Sequence, residues 1–196
     1  MTGSSRFCVY LTHPEVAVDP AVPVPAWGLS ETGRTRAARA ALLPWAGVIR
    51  HVVSSAERKA IETAEIFAAA HRLPVTIVEA THENDRSATG FLPPAEFEEV
   101  ASAFFAAPGQ SVRGWERAID AQTRIVSAVR QVVASAPAGA PVLFCGHGGV
   151  GTLLKCHLLG VGITRRHDQS CGGNWYMFDP LDLERRQADT LDWTAL

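Results

Sequence analysis

Short apolar runs rich in β-branched and aromatic residues recur along the chain and predict buried strands. The first is Phe-Cys-Val-Tyr-Leu at 7–11, and a similar run, Pro-Val-Leu-Phe-Cys, lies at 141–145. Longer segments bounded by helix-capping and helix-stopping residues lie between such runs. The predicted strands, in chain order, are 7–11, 48–53, 75–78, 141–145 and 174–178.

Capping and stop signals place helices between these strands. Ser30 is suited to cap a helix that Pro44 stops, and Ser54-x-x-Glu57 forms a capping box that predicts a helix start. Pro74 ends this second helix shortly after His71, which suits the negative end of the helix dipole. The predicted helices are 30–43, 54–71, 95–105, 115–134 and 146–159.

The alternation of strands and helices favours an α/β fold, a three-layer α/β/α sandwich with a mostly parallel central sheet. The 196 residues are expected to form one domain, 1–196. Residues 80–114 are mixed in character and predict an excursion over the sheet edge, near the expected active site. The polar tail from Asp182 is expected to be peripheral.

Composition narrows the class of protein. Hydrophobic residues make up 47% of the chain and the net charge is −2, without a run of Lys or Arg, so neither a nucleic-acid partner nor a membrane-surface partner is expected. The N-terminus lacks the apolar stretch of a signal peptide, and no window has about 18 apolar residues. The four cysteines form no C-x-x-C pair, which favours reduced thiols and a cytoplasmic location.

Two histidines follow two of the predicted strands directly. His13 comes after strand 7–11 and His147 comes after strand 141–145. Because ligands bind at the carboxyl ends of the strands in open α/β sheets, neighbouring strands would bring both imidazoles to one crevice. Gly148 and Gly149 leave backbone N–H groups open at a helix N-terminus, which favours an anion. Strand context alone leaves open whether the pair is catalytic or structural.

Several motifs, in order over residues 7–179, resemble the histidine phosphatase superfamily, in its phosphoglycerate-mutase-like branch. Each motif alone is weak, but five in the right order and spacing are a specific signal. They are His13 with Glu15 for Arg-His-Gly-Glu, Leu29-Ser30-x-x-Gly33 for the Leu-Thr-x-x-Gly helix start, Ser54 to Ala64 for Ser-Ser-x-x-x-Arg-Ala-x-x-Thr-Ala, His147-Gly148-Gly149 for the second-histidine motif, and Asn174 for the Asn that opens the last strand.

The resemblance implies a phosphoglycerate-mutase-like fold and a role for each matching residue. His13 would be the nucleophile that forms a phosphohistidine, and His147 would stabilise charge on the phosphoryl oxygens. Glu83 lies where the family often places its proton donor. No H-E-x-x-H motif or cysteine cluster occurs in the sequence, so no metal and no cofactor is expected.

The chain departs from the family pattern in its cations. Thr12-His13-Pro14 stands in place of Arg-His-Gly, and Lys59 stands in place of the second arginine, with Arg58 beside it. Threonine offers a phosphate only a hydroxyl, and lysine a point charge instead of a planar fork. Arg86 is the best candidate to restore the missing guanidinium. The expected phosphate-binding residues are therefore Thr12, Lys59, Arg86 and Gly148.

Three functions are compatible with this sequence. The first is a phosphatase that hydrolyses a small phosphomonoester through a phosphohistidine on His13. The weakened cation set motivates the second, a non-catalytic module that binds phospho-ligands on the same fold. The third is a phosphoglycerate-mutase-type phosphotransferase. Substrate specificity would come from residues 80–114 and from the proline-rich loop near Pro23 and Pro25, and the sequence does not identify the substrate.

Overall fold

A computed structural model describes residues 6–196 of the chain, a mixed six-stranded sheet with helices on both of its faces. The strands are β1 (Cys8–Thr12), β2 (His51–Ser54), β3 (Val75–Ile77), β4 (Val142–Gly146), β5 (Asn174–Phe178) and β6 (Thr194–Ala195). The helices are α1 (Glu31–Ala40), α2 (Arg58–His71), α3 (Pro94–Ala106), α4 (Ala118–Ser135), α5 (Gly148–Leu158) and α6 (Asp182–Arg185).

The strand order is β3-β2-β4-β1-β5-β6. The four strands from β3 to β1 run parallel, and β5 and β6 are antiparallel additions at one edge. This arrangement confirms the predicted α/β sandwich with a mostly parallel sheet. It also makes β1 and β4 neighbours, with Thr12 opposite Gly146 in the register.

Alternate residues of β1 enter two separate cores, one on each face of the sheet. Tyr10 packs into the core that α3, α4 and α5 form, where Phe104, Ile125 and Leu153 are buried. Val9 and Leu11 belong to the opposite core under α1 and α2. Because β1 is buried on both faces, it is apolar throughout, as strands within α/β sandwiches are.

The start of α2 differs from the predicted capping box. Ser54 lies in β2, and α2 begins only at Arg58, with Glu57 at the N-cap position and no side-chain cap. Ser54 donates its hydroxyl to the Ser55 carbonyl, and Ser55 bonds to His147. The capping-box prediction was wrong because both serines have tertiary or local partners that compete with the helix end.

The C-terminal tail is also more integrated than predicted. Leu183 and Leu191 are buried in the core under α5, and Thr194–Ala195 form β6 against β5. The expectation of a peripheral tail was wrong because a few apolar residues within a polar segment suffice to anchor it.

The four cysteines are free thiols, three of them buried and Cys171 exposed. Among residues 6–196, no helix has both the length and the apolar character needed to cross a membrane.

Candidate active site

His13 and His147 lie side by side at the carboxyl ends of β1 and β4. The backbone N–H of His13 donates to the Gly146 carbonyl at 3.0 Å, which extends the ladder between the two strands by one residue. The two imidazole centroids are 5.3 Å apart, with the rings inclined at 66°. The parallel pairing therefore brings together the two histidines that the sequence places after separate strands.

The half-buried His13 ring is held by its own loop. Nδ1 lies 2.8 Å from the Pro14 carbonyl oxygen, and because a carbonyl only accepts, Nδ1 carries the proton. Burial and the neighbouring His147 lower the pKa of His13 to about 3. The ring is therefore neutral near pH 7, and the lone pair of Nε2 is available for chemistry.

His147 is fully buried, and one of its nitrogens is engaged. Nε2 shares a hydrogen bond of 2.7 Å with Ser55 Oγ and lies 3.5 Å from a carboxylate oxygen of Glu57. Nδ1 has no hydrogen-bond partner within the described part of the chain. Burial lowers the pKa of His147, although the carboxylates of Glu57 and Glu83 act in the opposite direction. A buried imidazole nitrogen without a partner indicates a place for a ligand.

Glu83 lies at the N-terminus of α5. Its carboxylate accepts the backbone N–H groups of Gly149 and Val150, at 3.0 and 2.9 Å, and that of Asn84 at 3.0 Å. An added Cβ at Gly149 would lie 2.6 Å from Glu83 Oε1, so glycine permits this approach. Burial raises the pKa of Glu83, but Arg86, His147 and these N–H groups lower it overall. Glu83 is thus ionised at rest and occupies the helix end that the sequence offered to an anion.

Lys59 is buried beside the histidines, but its charge is already compensated. Its ammonium group forms an ion pair with Glu57 and donates to the Val24 carbonyl at 3.0 Å. Arg58 points away and pairs with Glu62, as expected for a solvent-facing neighbour. The structure therefore places Lys59, rather than Arg58, near His13.

Arg86 lies on the segment between β3 and α3 and lines one cavity together with His13 and Lys59. Its guanidinium lies 5.1 Å from the centroid of the Phe97 ring and 5.6 Å from that of Trp115, so two aromatic rings fix its position. Arg86 makes the largest charge contribution that lowers the pKa of Glu83.

Thr12 has a different environment from the predicted one. Its hydroxyl donates to Gln169 Oε1 at 2.8 Å and accepts the N–H groups of Gly173 and Asn174 at 3.1 and 3.0 Å. Like His147, Thr12 is fully buried. Gly148 lies under Gln169, whose Nε2 would be 2.4 Å from an added Cβ. The expectation that Thr12 contacts a phosphate is not supported, because its hydroxyl joins β1 to β5.

Two cavities meet at Val24, Arg86 and Gly90. One, of about 300 Å³, is lined by His13 and Lys59 together with apolar and aromatic side chains that include Trp27, Phe91 and Phe97. The other, of about 600 Å³, contains the carboxylates of Glu57, Glu79, Glu83 and Asp85. The site therefore has an apolar side and an acidic side.

Sequence reasoning missed three residues of this site. Ser55 orients His147, Glu57 pairs with Lys59, and Arg124 of α4 donates to the carbonyls of Ala80, His82 and Glu83. Ser55 lies within a recognised motif and could have been found there. The local pattern favours a capping-box role for Glu57, and nothing in the local sequence connects Arg124 with a loop 41 residues away.

A family model, the histidine phosphatase superfamily (branch 1), matches residues 24–176. The match includes Lys59, Glu83 and His147 and begins after His13. A search of curated proteins finds no match.

Known structures share the fold at low sequence identity. A mycobacterial glucosyl-3-phosphoglycerate phosphatase superposes with a TM-score of 0.75 at 22% identity, covering 97% of this chain and 96% of its own. Further structures of that protein are complexes with VO3 and with inorganic phosphate. Bacillus stearothermophilus YhfR gives a TM-score of 0.74 at 19% identity, with 97% and 95% covered. An Escherichia coli protein described as an α-ribazole-5′-phosphate phosphatase gives 0.70 at 16%, with 98% and 97% covered.

Proposed function

Because the chain belongs to the histidine phosphatase superfamily, we propose that it hydrolyses a small phosphomonoester through a phosphohistidine on His13. One observation carries the proposal: two neutral histidines face each other at the carboxyl end of the sheet, and each has an uncommitted ring nitrogen. The known structures with phosphatase names, and the phosphate and vanadate complexes of one of them, support the same class of ligand.

In the first step, the Nε2 lone pair of His13 attacks phosphorus while the ester P–O bond breaks. The Pro14 carbonyl keeps the proton on Nδ1, so the ring is a neutral nucleophile before the attack. Ser55 Oγ accepts the Glu57 N–H at 3.3 Å, which favours donation of the Ser55 hydroxyl to His147 Nε2. His147 then carries its proton on Nδ1, and this N–H group donates a hydrogen bond to a phosphoryl oxygen.

In the second step, water attacks phosphorus, the P–N bond breaks, and phosphate leaves. We assign Glu83 to proton transfer in both steps: in the first it passes a proton to the leaving oxygen, and in the second it takes a proton from the water and returns it to the departing phosphate. Because its resting form is ionised, the proton for the leaving oxygen enters with the substrate and passes through Glu83. Lys59 and Arg86 are the cations that we assign to the phosphate.

Hydrolysis of an aryl phosphate by the purified protein tests this proposal. His13→Ala is expected to lower kcat by a factor of about 1000 or more, because no other group forms the covalent intermediate. His51→Ala is a matched control, since His51 begins β2 at the opposite end of the sheet. Denaturation of the wild-type protein after brief reaction with ³²P-labelled substrate should trap a labelled phosphohistidine. Equal activity of His13→Ala and His51→Ala would exclude the mechanism.

A binding module without turnover is the second candidate, and the Lys59–Glu57 ion pair favours it. With Lys59 compensated and Thr12 in place of an arginine, the site has less free positive charge than phosphoryl transfer ordinarily uses. Saturable binding of phosphate or vanadate, without hydrolysis of a broad panel of phosphomonoesters, would support this second function.

A further inference from the structure

Glu57 places a negative charge inside the site that is proposed to bind phosphate. The side chain is buried, with 8% of the residue exposed. One carboxylate oxygen pairs with the Lys59 ammonium; the other accepts the Glu83 N–H at 2.9 Å and lies 3.5 Å from His147 Nε2. Glu57 therefore already neutralises the Lys59 ammonium group, with which an incoming phosphate oxygen would pair.

The four charged side chains assigned to the phosphate site balance one another. Lys59 and Arg86 are positive, Glu57 and Glu83 are negative, and burial keeps both histidines neutral. Burial raises the pKa of Glu57, but His147, Lys59 and the Glu83 N–H together bring it down to about 2. Glu57 is therefore ionised at every pH at which the protein would work. A doubly charged phosphate would bring two negative charges into a site with no net positive charge.

We propose that Glu57 is a specificity-determining residue that disfavours doubly charged phosphate and selects the singly charged form. The inference rests on the proposed phosphate site, and it concerns the charge of the ligand. A nearby carboxylate repels the second negative charge directly, and it also competes for Lys59.

The selection has a chemical consequence for the proposed reaction. A singly charged phosphomonoester carries one proton on a non-bridging oxygen. As the P–O ester bond breaks, this proton moves to the leaving oxygen through Glu83, which is ionised at rest and returns to that form. The same charge balance that excludes the dianion thus admits the form of the substrate that brings the required proton.

Other titratable groups face the same space and have to be separated from Glu57. The titratable groups that contact Glu57 or line the same cavity are Lys59 on α2, His147 before α5, and Glu79, His82, Glu83, Asp85 and Arg86 on the segment after β3. These groups are present in both the wild-type protein and a Glu57 variant, and His147 is protonated less in the variant because it loses the Glu57 charge that raises its pKa. Comparison of the two proteins at each pH therefore isolates the contribution of Glu57.

Binding of inorganic phosphate tests the inference, with Glu57→Gln as the variant. Glutamine keeps an oxygen for the Glu83 N–H and removes the charge. At pH 8, where phosphate is mostly doubly charged, the variant is expected to bind phosphate at least about tenfold more tightly by calorimetry. At pH 5, where phosphate is singly charged, the gain in affinity of Glu57→Gln over the wild type should be clearly smaller. Glu65→Gln, the same change on the exposed face of α2, is the control and should leave affinity unchanged.

Three results would overturn the inference. They are an unchanged or weaker affinity of Glu57→Gln at pH 8, an equal gain from Glu65→Gln, and an equal gain at both pH values. If the wild-type protein, Glu57→Gln and Glu65→Gln all fail to bind phosphate at millimolar concentration, both the proposed phosphate site and the inference are rejected. Phosphate binding with the expected gain, but without hydrolysis of any ester, would reject the proposed phosphatase activity and support the role of Glu57.

Discussion

Thr12 shows how one substitution changes what a position does. The related motif has arginine there, whereas the Thr12 hydroxyl accepts two backbone N–H groups from the start of β5 and donates to Gln169. Thr12 is fully buried, so an arginine introduced there would have to displace Gln169 or Asn174. Thr12 therefore joins β1 to the start of β5, and Lys59 and Arg86 are the cations that the proposed function assigns to the phosphate.

Thr12→Val is therefore expected to destabilise the protein. Valine keeps the shape of the side chain but leaves the Asn174 N–H without this acceptor, at a cost of about 1–3 kcal/mol. The Gly173 N–H keeps the His13 carbonyl as its acceptor, at 2.9 Å. Thr12→Ser keeps the hydroxyl and should cost clearly less. Urea denaturation of both variants gives the free energies of unfolding, and equal losses would show that the hydroxyl contributes nothing.

At the scale of elements, helix α4 holds the loop that carries Glu83. The Arg124 guanidinium donates to the carbonyls of Ala80 and His82, at 3.0 and 2.9 Å, and to that of Glu83 at 3.2 Å. A pair of contacts with Glu116 fixes the guanidinium itself. Because Glu83 in turn caps α5, this clamp links α4, the loop and α5 into one unit behind the histidines.

Arg124→Met is expected to loosen this unit. Hydrogen exchange of the backbone amides of residues 79–86 should become faster, because three acceptors lose their donor. On the proposed function, kcat should fall by about 10- to 100-fold as Glu83 loses its position. Arg117→Met, which breaks an exposed ion pair with Asp120 beside the same helix, is the control. Equal exchange in the two variants would contradict the clamp.

At the scale of the whole molecule, buried titratable groups couple stability to pH. The pKa of His13 is lowered from 6.5 to about 3 and that of Glu57 from 4.5 to about 2. In both cases the unfolded chain binds protons at a higher pH than the folded protein. Acid therefore favours unfolding: through His13 below about pH 6.5 and through Glu57 below about pH 4.5.

The free energy of unfolding should accordingly fall as the pH is lowered from 7 to 4. His13 contributes a slope of up to about 1.4 kcal/mol per pH unit between these values. His13→Gln, which does not titrate, should flatten the dependence above pH 5. Urea denaturation at a series of pH values measures the slope, and an identical slope in the variant would show that His13 titrates normally in the folded protein.

The sequence by itself determined the layered α/β fold and the order of its main elements, because buried strands and capped helices leave local signals. Strand β1 and the Ser30 cap, whose hydroxyl accepts the Gly33 N–H at 3.1 Å, follow from such signals. It also placed His13 and His147 after strands, and the parallel pairing of β1 and β4 accounts for their meeting.

Only the tertiary structure decided the partners of the charged and polar residues. Glu57 reads locally as part of a capping box, yet it pairs with Lys59 beside His147. Thr12 reads as part of a phosphate loop, yet it bonds to β5. Local sequence determines backbone preference within a few residues, whereas the partner of a buried charge is set by which distant segments the packed sheet brings within hydrogen-bonding distance.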